Sequence, residues 1–254
     1  VSHTPLLKSG QVIKRKLNCI RPVGGSPTPP PPTFPLTIFF GQVQPAPEQT
    51  VMGDPLTERN EFFAYLSPVV DVQNFESLAV GYQGMSYPIS PTFTLNGVGM
   101  TIPAIEVSPG VPFYVNGTAF VVNDDAGVFT RWNTTSGGAN WLDACQTPLE
   151  SDPSGLHTYL SFSPSIAFFG AYFTDFGDWA DSYVVIRLVQ DNDDFTEYTM
   201  ENPGLEGGSL TFWGFACGDA TFKRIEFYNF GPHIDAWGMD NMTFGPIGSV
   251  VGPP

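Results

Sequence analysis

The chain has 254 residues, 42% of them hydrophobic and including 22 Phe and 5 Trp, which is enough apolar side chain for one large core; 27 Gly and 25 Pro exclude a mainly helical protein. Residues 1–47 hold no acid and five of the ten basic residues, so the remainder carries 5 basic and 25 acidic residues, a balance of −20. Such a body repels phosphate backbones, which argues against nucleic acid as its partner, and no apolar run reaches the roughly 18 residues of a membrane-spanning helix.

Residues 1–24 form a basic arm with Lys8, Lys14, Arg15, Lys16 and Arg21. It reads either as a solvated tail or as an anchor that docks onto a larger assembly. The N-terminus shows no apolar signal-peptide core, so the expectation is that a signal was removed or that the protein leaves the cell by another route, such as lysis. Residues 25–35, within "GGSPTPPPPTFP", read as a stiff polyproline linker.

The body is expected over 36–247, with 248–254 as a tail. A strand is predicted at 36–43. A helix is predicted at 53–67, with Asp54 at its cap, Pro55 in its first turn and Phe62, Phe63 and Leu66 on its apolar face. Strands follow at 74–80 and 93–102, the latter turning at Asn96-Gly97, and a second Asn-Gly hairpin is expected at 113–122. The polar, Gly- and Asp-rich stretch 123–155 reads as long loops. Paired strands are expected at 157–177, 182–200 and 208–231, and a last strand at 239–244. Short strands with turn chemistry between them predict an all-β, antiparallel jelly roll or β-sandwich, of the carbohydrate-binding-module or concanavalin-like kind, with one short helix.

Catalytic signatures are sparse. His3, His157 and His233 are scattered, and neither a nucleophile elbow nor a zinc-binding His pair occurs. The expectation is therefore not an enzyme, with a glycoside hydrolase as a remote alternative because 25 acids cannot be sorted into a catalytic pair. Trp132 and Trp141 in the polar stretch and Trp179 after an Asp-Phe-Gly-Asp turn are the candidate glycan platforms, or else aromatic anchors of long loops. Cys145 and Cys217 either bridge across a long loop or remain buried thiols; Cys19 lies in the arm. Asp175, Asp178 and Asp181 form an acidic turn that is a weak calcium candidate, and the "DNDD" run at 191–194 reads as a hairpin tip.

The order "RNEFFAYLSPVVDVQNFESLAVG", "AFFGAYFTDFGDWADSYVVIRL", "GSLTFWGFACGDATFKRIEFYN" and "WGMDNMTFG" resembles the extracellular β-sandwich domain of PEP-CTERM-type exported proteins, also found in virion surface proteins of phages, particularly cyanophages. The resemblance covers about residues 55–245. The chain departs from that pattern at its end, "GPIGSVVGPP", so the sorting-tail biology is not implied. What is implied is a structural virion surface protein, either a capsid decoration or a tail-fibre type. Residues 1–24 would join it to other virion proteins, and it would be extracellular, homo-oligomeric and able to meet host surface glycans. A secreted bacterial surface or matrix protein that binds polysaccharide is the alternative.

Similarity to carbohydrate-binding jelly rolls also implies a structural Ca²⁺ shared between Glu76, near the first core strand, and Asp240, in the last. Strict alternation would put Asp240 on the core face with Met242 and Phe244, where a carboxylate needs a partner or a cation. A plain edge-strand charge is the other reading of Asp240, and Asp235 is expected to stay solvated.

Overall fold

The computed structural model describes residues 34–43, 53–77, 92–101, 119–123, 134–135, 140–146, 156–176, 183–201, 208–230 and 235–253. The arm and the polyproline stretch up to residue 33 lie outside these residues. Among the described residues twelve strands and one α-helix follow in order: β1 (Thr37–Val43), α1 (Gly53–Ala64), β2 (Thr92–Leu95), β3 (Val98–Thr101), β4 (Ala119–Asn123), β5 (Asn140–Gln146), β6 (Leu156–Ile166), β7 (Phe168–Thr174), β8 (Tyr183–Gln190), β9 (Phe195–Glu201), β10 (Leu210–Ala216), β11 (Phe222–Phe230) and β12 (Asp235–Gly245).

They form two six-stranded sheets. The first runs β1-β10-β7-β12-β5-β4 and the second β2-β3-β6-β11-β8-β9, with every paired neighbour antiparallel. From β5 onward the chain passes repeatedly between sheets, so that β5-β12-β7-β10 faces β6-β11-β8-β9. That is the eight-stranded jelly-roll order, with β1 to β4 added at the edges. The segments 157–177 and 208–231 therefore do not fold as local pairs. β6 and β7 sit in opposite sheets, as do β10 and β11, because each short turn, at Ala167 and at residues 217–221, carries the chain across the sandwich.

β7 and β10 are buried along their whole length. Their inward residues, Phe169, Ala171, Phe173, Trp213 and Phe215, enter the inter-sheet core with Leu160, Ile186, Ile225, Phe227 and Trp237. Their outward residues, Phe168, Tyr172, Leu210, Phe212 and Ala216, form a second core with Phe62 and Leu66 under α1. A strand covered on both faces reads as a continuous apolar run, which is what "AFFGAYF" and "LTFWGFA" show. Gly170 makes the seat for α1: a Cβ there would lie 2.7 Å from Phe62 Cε1 and 3.0 Å from Phe212 Cζ.

Three expectations are corrected by this architecture. The stretch 123–155 contains a core strand, β5, whose Trp141 and Leu142 are buried. Residues 74–77 are a turn rather than a strand, with Phe75 at φ 61°. The C-terminus is not a loose tail. A 3-10 turn at Ile247–Ser249 leads to Val250, which bridges Leu66, is buried in the α1 core, and is followed by Val251 donating its N–H to Tyr65 O at 2.8 Å.

Candidate functional site

Two regions on opposite outer faces of the sandwich combine polar chemistry with defined geometry. The first surrounds Asp240. β12 pairs Asp240 with Tyr172 and then Thr243 with Gly170, so Asn241 and Met242 together face one residue of β7. Asn241 takes a left-handed conformation, φ 49°, as one residue of such a bulge often does. The extra residue resets the alternation. Trp237, Met239, Met242 and Phe244 all enter the inter-sheet core, and Asp240 falls on the outer face with Gly238. The expectation that Asp240 shares a face with Met242 and Phe244 is thereby overturned, and the signal for it was the Asp-Asn pair inside a strand.

Asp240 is nevertheless only 1% exposed. Its Oδ2 accepts the backbone N–H groups of Thr134 and Thr135 at 2.8 and 3.0 Å and the two threonine hydroxyls at 2.9 and 3.1 Å. Its Oδ1 accepts the Asn241 N–H at 2.6 Å, and Asn241 Nδ2 donates to Thr134 Oγ1 at 2.9 Å. Successive backbone N–H groups converging on one oxygen make a seat for an anion. Burial pushes the Asp240 carboxyl up to about 6, against the opposing pull of hydrogen bonds from Asn241, Thr134 and Thr135. The partner that a buried carboxylate needs is thus supplied by donors. Glu76 follows the turn at Phe75, with its N–H on Asn74 Oδ1, and contributes none of those five bonds. Among the described residues no group of three or more His, Cys, Asp or Glu side chains gathers as a metal cluster.

The remaining sequence candidates are placed as follows. Asp175, at φ 61°, accepts the Gly208 N–H at 3.3 Å and so caps its turn; Asp178, Asp181, Trp132 and Trp179 lie outside the described residues. Trp141 is not a surface platform. It is 1% exposed and lies across Gly238, where an added Cβ would come within 2.9 Å of its ring. A Cys145–Cys217 bridge is excluded by topology. Cys145 pairs with Ala236 at one end of β12, whereas Cys217 follows Ala216, whose neighbours are Phe168 and then Gly245 at the other end. The strand spacings and rise put them more than about 20 Å apart, while a disulfide needs Cα atoms within about 7 Å. The Cys217 Sγ lies 3.2 Å from Asp219 Oδ1.

The second region is the outer face of the second sheet, and sequence reading missed it. In β8, Val184, Ile186 and Leu188 point into the core, so Tyr183 and Arg187 point out. In β11, Ile225 and Phe227 point in, and Arg224, Glu226, Tyr228 and Phe230 point out. In β9 the outward residues include Phe195 and Glu197. The Arg187 guanidinium lies between two rings, 4.3 Å from Phe195 and 4.6 Å from Tyr228. Tyr228 is stacked on Phe230 at 6.3 Å and 14°, and Phe230 on Tyr183 at 5.0 Å and 13°. The result is one continuous row, Phe195, Arg187, Tyr228, Phe230 and Tyr183, crossing three strands. Its two ends are open, Phe195 at 55% and Tyr183 at 42% exposed, and they are the only aromatics among the exposed large apolar side chains of the described residues.

A buried carboxylate fixes the row from below. Glu226 is 3% exposed and accepts the Tyr228 hydroxyl at 2.7 Å, Arg187 Nη1 at 3.3 Å and Arg224 Nη2 at 2.5 Å. Arg187 also places Nε and Nη2 on Glu197 Oε1 at 3.0 and 2.8 Å. Burial, the hydrogen bond from its own hydroxyl to Glu226 and that carboxylate's charge all push the Tyr228 phenol upward, so it stays protonated and donating. In sequence, Tyr183 and Arg187 of "YVVIRLV" and Arg224, Glu226, Tyr228 and Phe230 of "RIEFYNF" fall on alternate positions and so on one face of their own strand, but which strands lie side by side is not legible there.

No family model matches this chain, and no curated protein matches it. Among solved structures it is similar to the cleaved adhesin domain of Lys-gingipain, at 15% identity over 69% of this chain and 97% of that one, with a TM-score of 0.37. It is also similar to the CBM22-1 xylan-binding domain of Paenibacillus barcinonensis Xyn10C, at 11% identity over 74% of this chain and 99% of that one, with a TM-score of 0.26.

Proposed function

We propose that this protein is a non-catalytic display module that binds glycan through the outer face of its second sheet and is carried on a phage particle by its basic arm. The observation that supports glycan binding is the row from Phe195 to Tyr183: exposed rings flanked by fixed hydrogen-bonding groups on a rigid sheet. Sugar rings pack their C–H faces on aromatic side chains while their hydroxyls need donors and acceptors close by. Glu197 and the exposed turn residues Asn192 and Asp194 supply these beside Phe195. The virion part of the reading rests on the sequence resemblance and on the charge contrast between arm and body.

Two measurements test it. Affinity electrophoresis through gels containing neutral and acidic polysaccharides is expected to retard the wild type in at least one gel and to show that retardation clearly weakened in Phe195→Ala. Retention in no gel, or unchanged retention of the variant, defeats the glycan assignment. Deleting residues 1–24 is expected to leave the body folded and to abolish incorporation into particles; incorporation at normal stoichiometry defeats the docking role.

A further inference from the structure

Resting on that glycan reading, we infer that the occupant of the row is an extended, uncharged polysaccharide chain, gripped at internal sugars by Phe195 and Tyr183 together, and not a terminal sugar or a polyanion. The length of the row points to a chain. Phe195 pairs with Val189, six residues along β8 from Tyr183, and at the usual strand rise this puts the two open rings about 20 Å apart. The four contacts of the row, laid end to end, span the same distance. Between the two ends lie the less accessible Tyr228 and Phe230, so a small ligand reaches one open ring and a chain is needed to reach both.

The charges around the row point to a neutral ligand. Arg187, Lys223 and Arg224 are three of the five cations in the body after residue 47. Each already faces a carboxylate: Arg187 on Glu197 and Glu226, Arg224 on Glu226, and Lys223 on Asp193 at 2.7 Å. Around the Phe195 end the exposed Asp191 and Asp194 come in addition to these paired carboxylates, so that Asp191, Asp193, Asp194, Glu197 and Glu226 stand against Arg187, Lys223 and Arg224. A uronate, sialate or sulfate chain laid on the row meets neutralised guanidinium groups and an excess of carboxylates, on a body with 5 basic against 25 acidic residues. Repulsion of this kind rejects an anionic competitor without weakening the neutral ligand.

Rigidity couples the two ends. Arg187 is held by two rings and two carboxylates, and Tyr228 by Glu226 and Phe230, so the spacing of the open ends is set before a ligand arrives. Two fixed contacts on one chain turn the second contact into an intramolecular event, which makes affinity depend on chain length.

The test uses the full chain and matched soluble polymers: hydroxyethyl cellulose against carboxymethyl cellulose, and methyl-esterified against de-esterified homogalacturonan, within a panel of neutral and acidic polysaccharides. The expected result is retention by at least one neutral polymer and clearly weaker retention by a charged polymer on the same backbone. Oligosaccharides cut from the retained polymer should compete at least about tenfold better once they are long enough to cover the row. Phe195→Ala and Tyr183→Ala, both at exposed positions, should each remove that length dependence while the circular dichroism spectrum is unchanged. Equal or stronger retention by the anionic form, or short oligosaccharides competing as well as long ones, overturns this inference and leaves glycan binding standing. Retention by no polymer of the panel overturns the glycan reading itself and this inference with it.

Discussion

Asp240→Asn, followed across pH, is the perturbation that separates the forces on the most buried carboxylate described in this protein. Burial raises the Asp240 carboxyl from the ordinary 3.8 to about 6. Below about pH 4 the group is protonated in folded and unfolded chains alike. Between about 4 and 6 the folded protein holds its proton while the unfolded chain has lost it. Stability carried by this group is therefore fully present at low pH and is lost as pH rises through 6. A rise of this size, at about 1.4 kcal/mol for each tenfold change in proton affinity, corresponds to about 3 kcal/mol, with no discount for solvent because the side chain is 1% exposed. For a chain of this size that is a melting-temperature change of about 6–12 °C. The assay is the difference between the wild-type and Asp240→Asn melting temperatures from pH 4 to 8, which cancels the other titrating acids. The difference should move against the wild type as pH rises to 6 and stay flat above it. A flat difference throughout, or one moving the opposite way, would show that Thr134, Thr135 and Asn241 hold the carboxylate as an anion at least as strongly as burial opposes it. Repeating the scan with EDTA addresses calcium. Hydrogen bonds that complete the Asp240 environment predict no change, whereas a drop that Ca²⁺ reverses in the wild type and not in Asp240→Asn establishes the cation.

Gly170→Ala is expected to destabilise by about 1–3 kcal/mol through overpacking, since the new methyl meets Phe62 and Phe212; Phe62→Leu in the same chain should return part of the loss in urea unfolding. Glu226→Gln removes the charge that Tyr228, Arg187 and Arg224 share and should lower stability by about 2 kcal/mol, the usual scale for hydrogen bonds to a charged group, read by thermal melting. Deleting residues 250–254 strips buried Val250 from the α1 core and should lower stability by about 2 kcal/mol; an unchanged melting temperature would show that the docked C-terminus contributes nothing.

Much of the fold was legible because periodicity and turn chemistry are local. The Asn96-Gly97 hairpin, with φ 51° and 78°, is set by two residues that tolerate the left-handed region. α1 was legible from Pro55 and the Phe62 stripe. Which strands pair was not, because β6 and β7 look like a hairpin in sequence, and only the packing of Phe169 and Phe173 against the other sheet separates them. Asp240 shows the same limit at the scale of one residue. Strict alternation places it with Met242, and the single extra residue of a bulge sends it to the opposite face. Its partners, Thr134 and Thr135, lie more than 100 positions away, although "NTTSGG" does carry the hydroxyl-rich turn chemistry that caps anions. The row on the second sheet was hidden for another reason. Tyr183, Arg187, Phe195, Tyr228 and Phe230 each read as ordinary strand residues, and only the register of β9, β8 and β11 lines them up. Trp132 and Trp141 drew attention instead because a tryptophan in a polar stretch stands out, yet Trp141 is buried at the Gly238 seam.

The most direct measurement of glycan binding by the row is side-chain and amide chemical-shift mapping of the full chain, titrated with the polysaccharide or oligosaccharide it retains. Shifts are expected to concentrate on Tyr183, Arg187, Phe195, Glu197, Tyr228 and Phe230, with Trp141, Tyr172 and Asp240 on the opposite sheet unmoved. Shifts centred on the first sheet's outer face, or on Trp132 and its neighbours with the row silent, would contradict it.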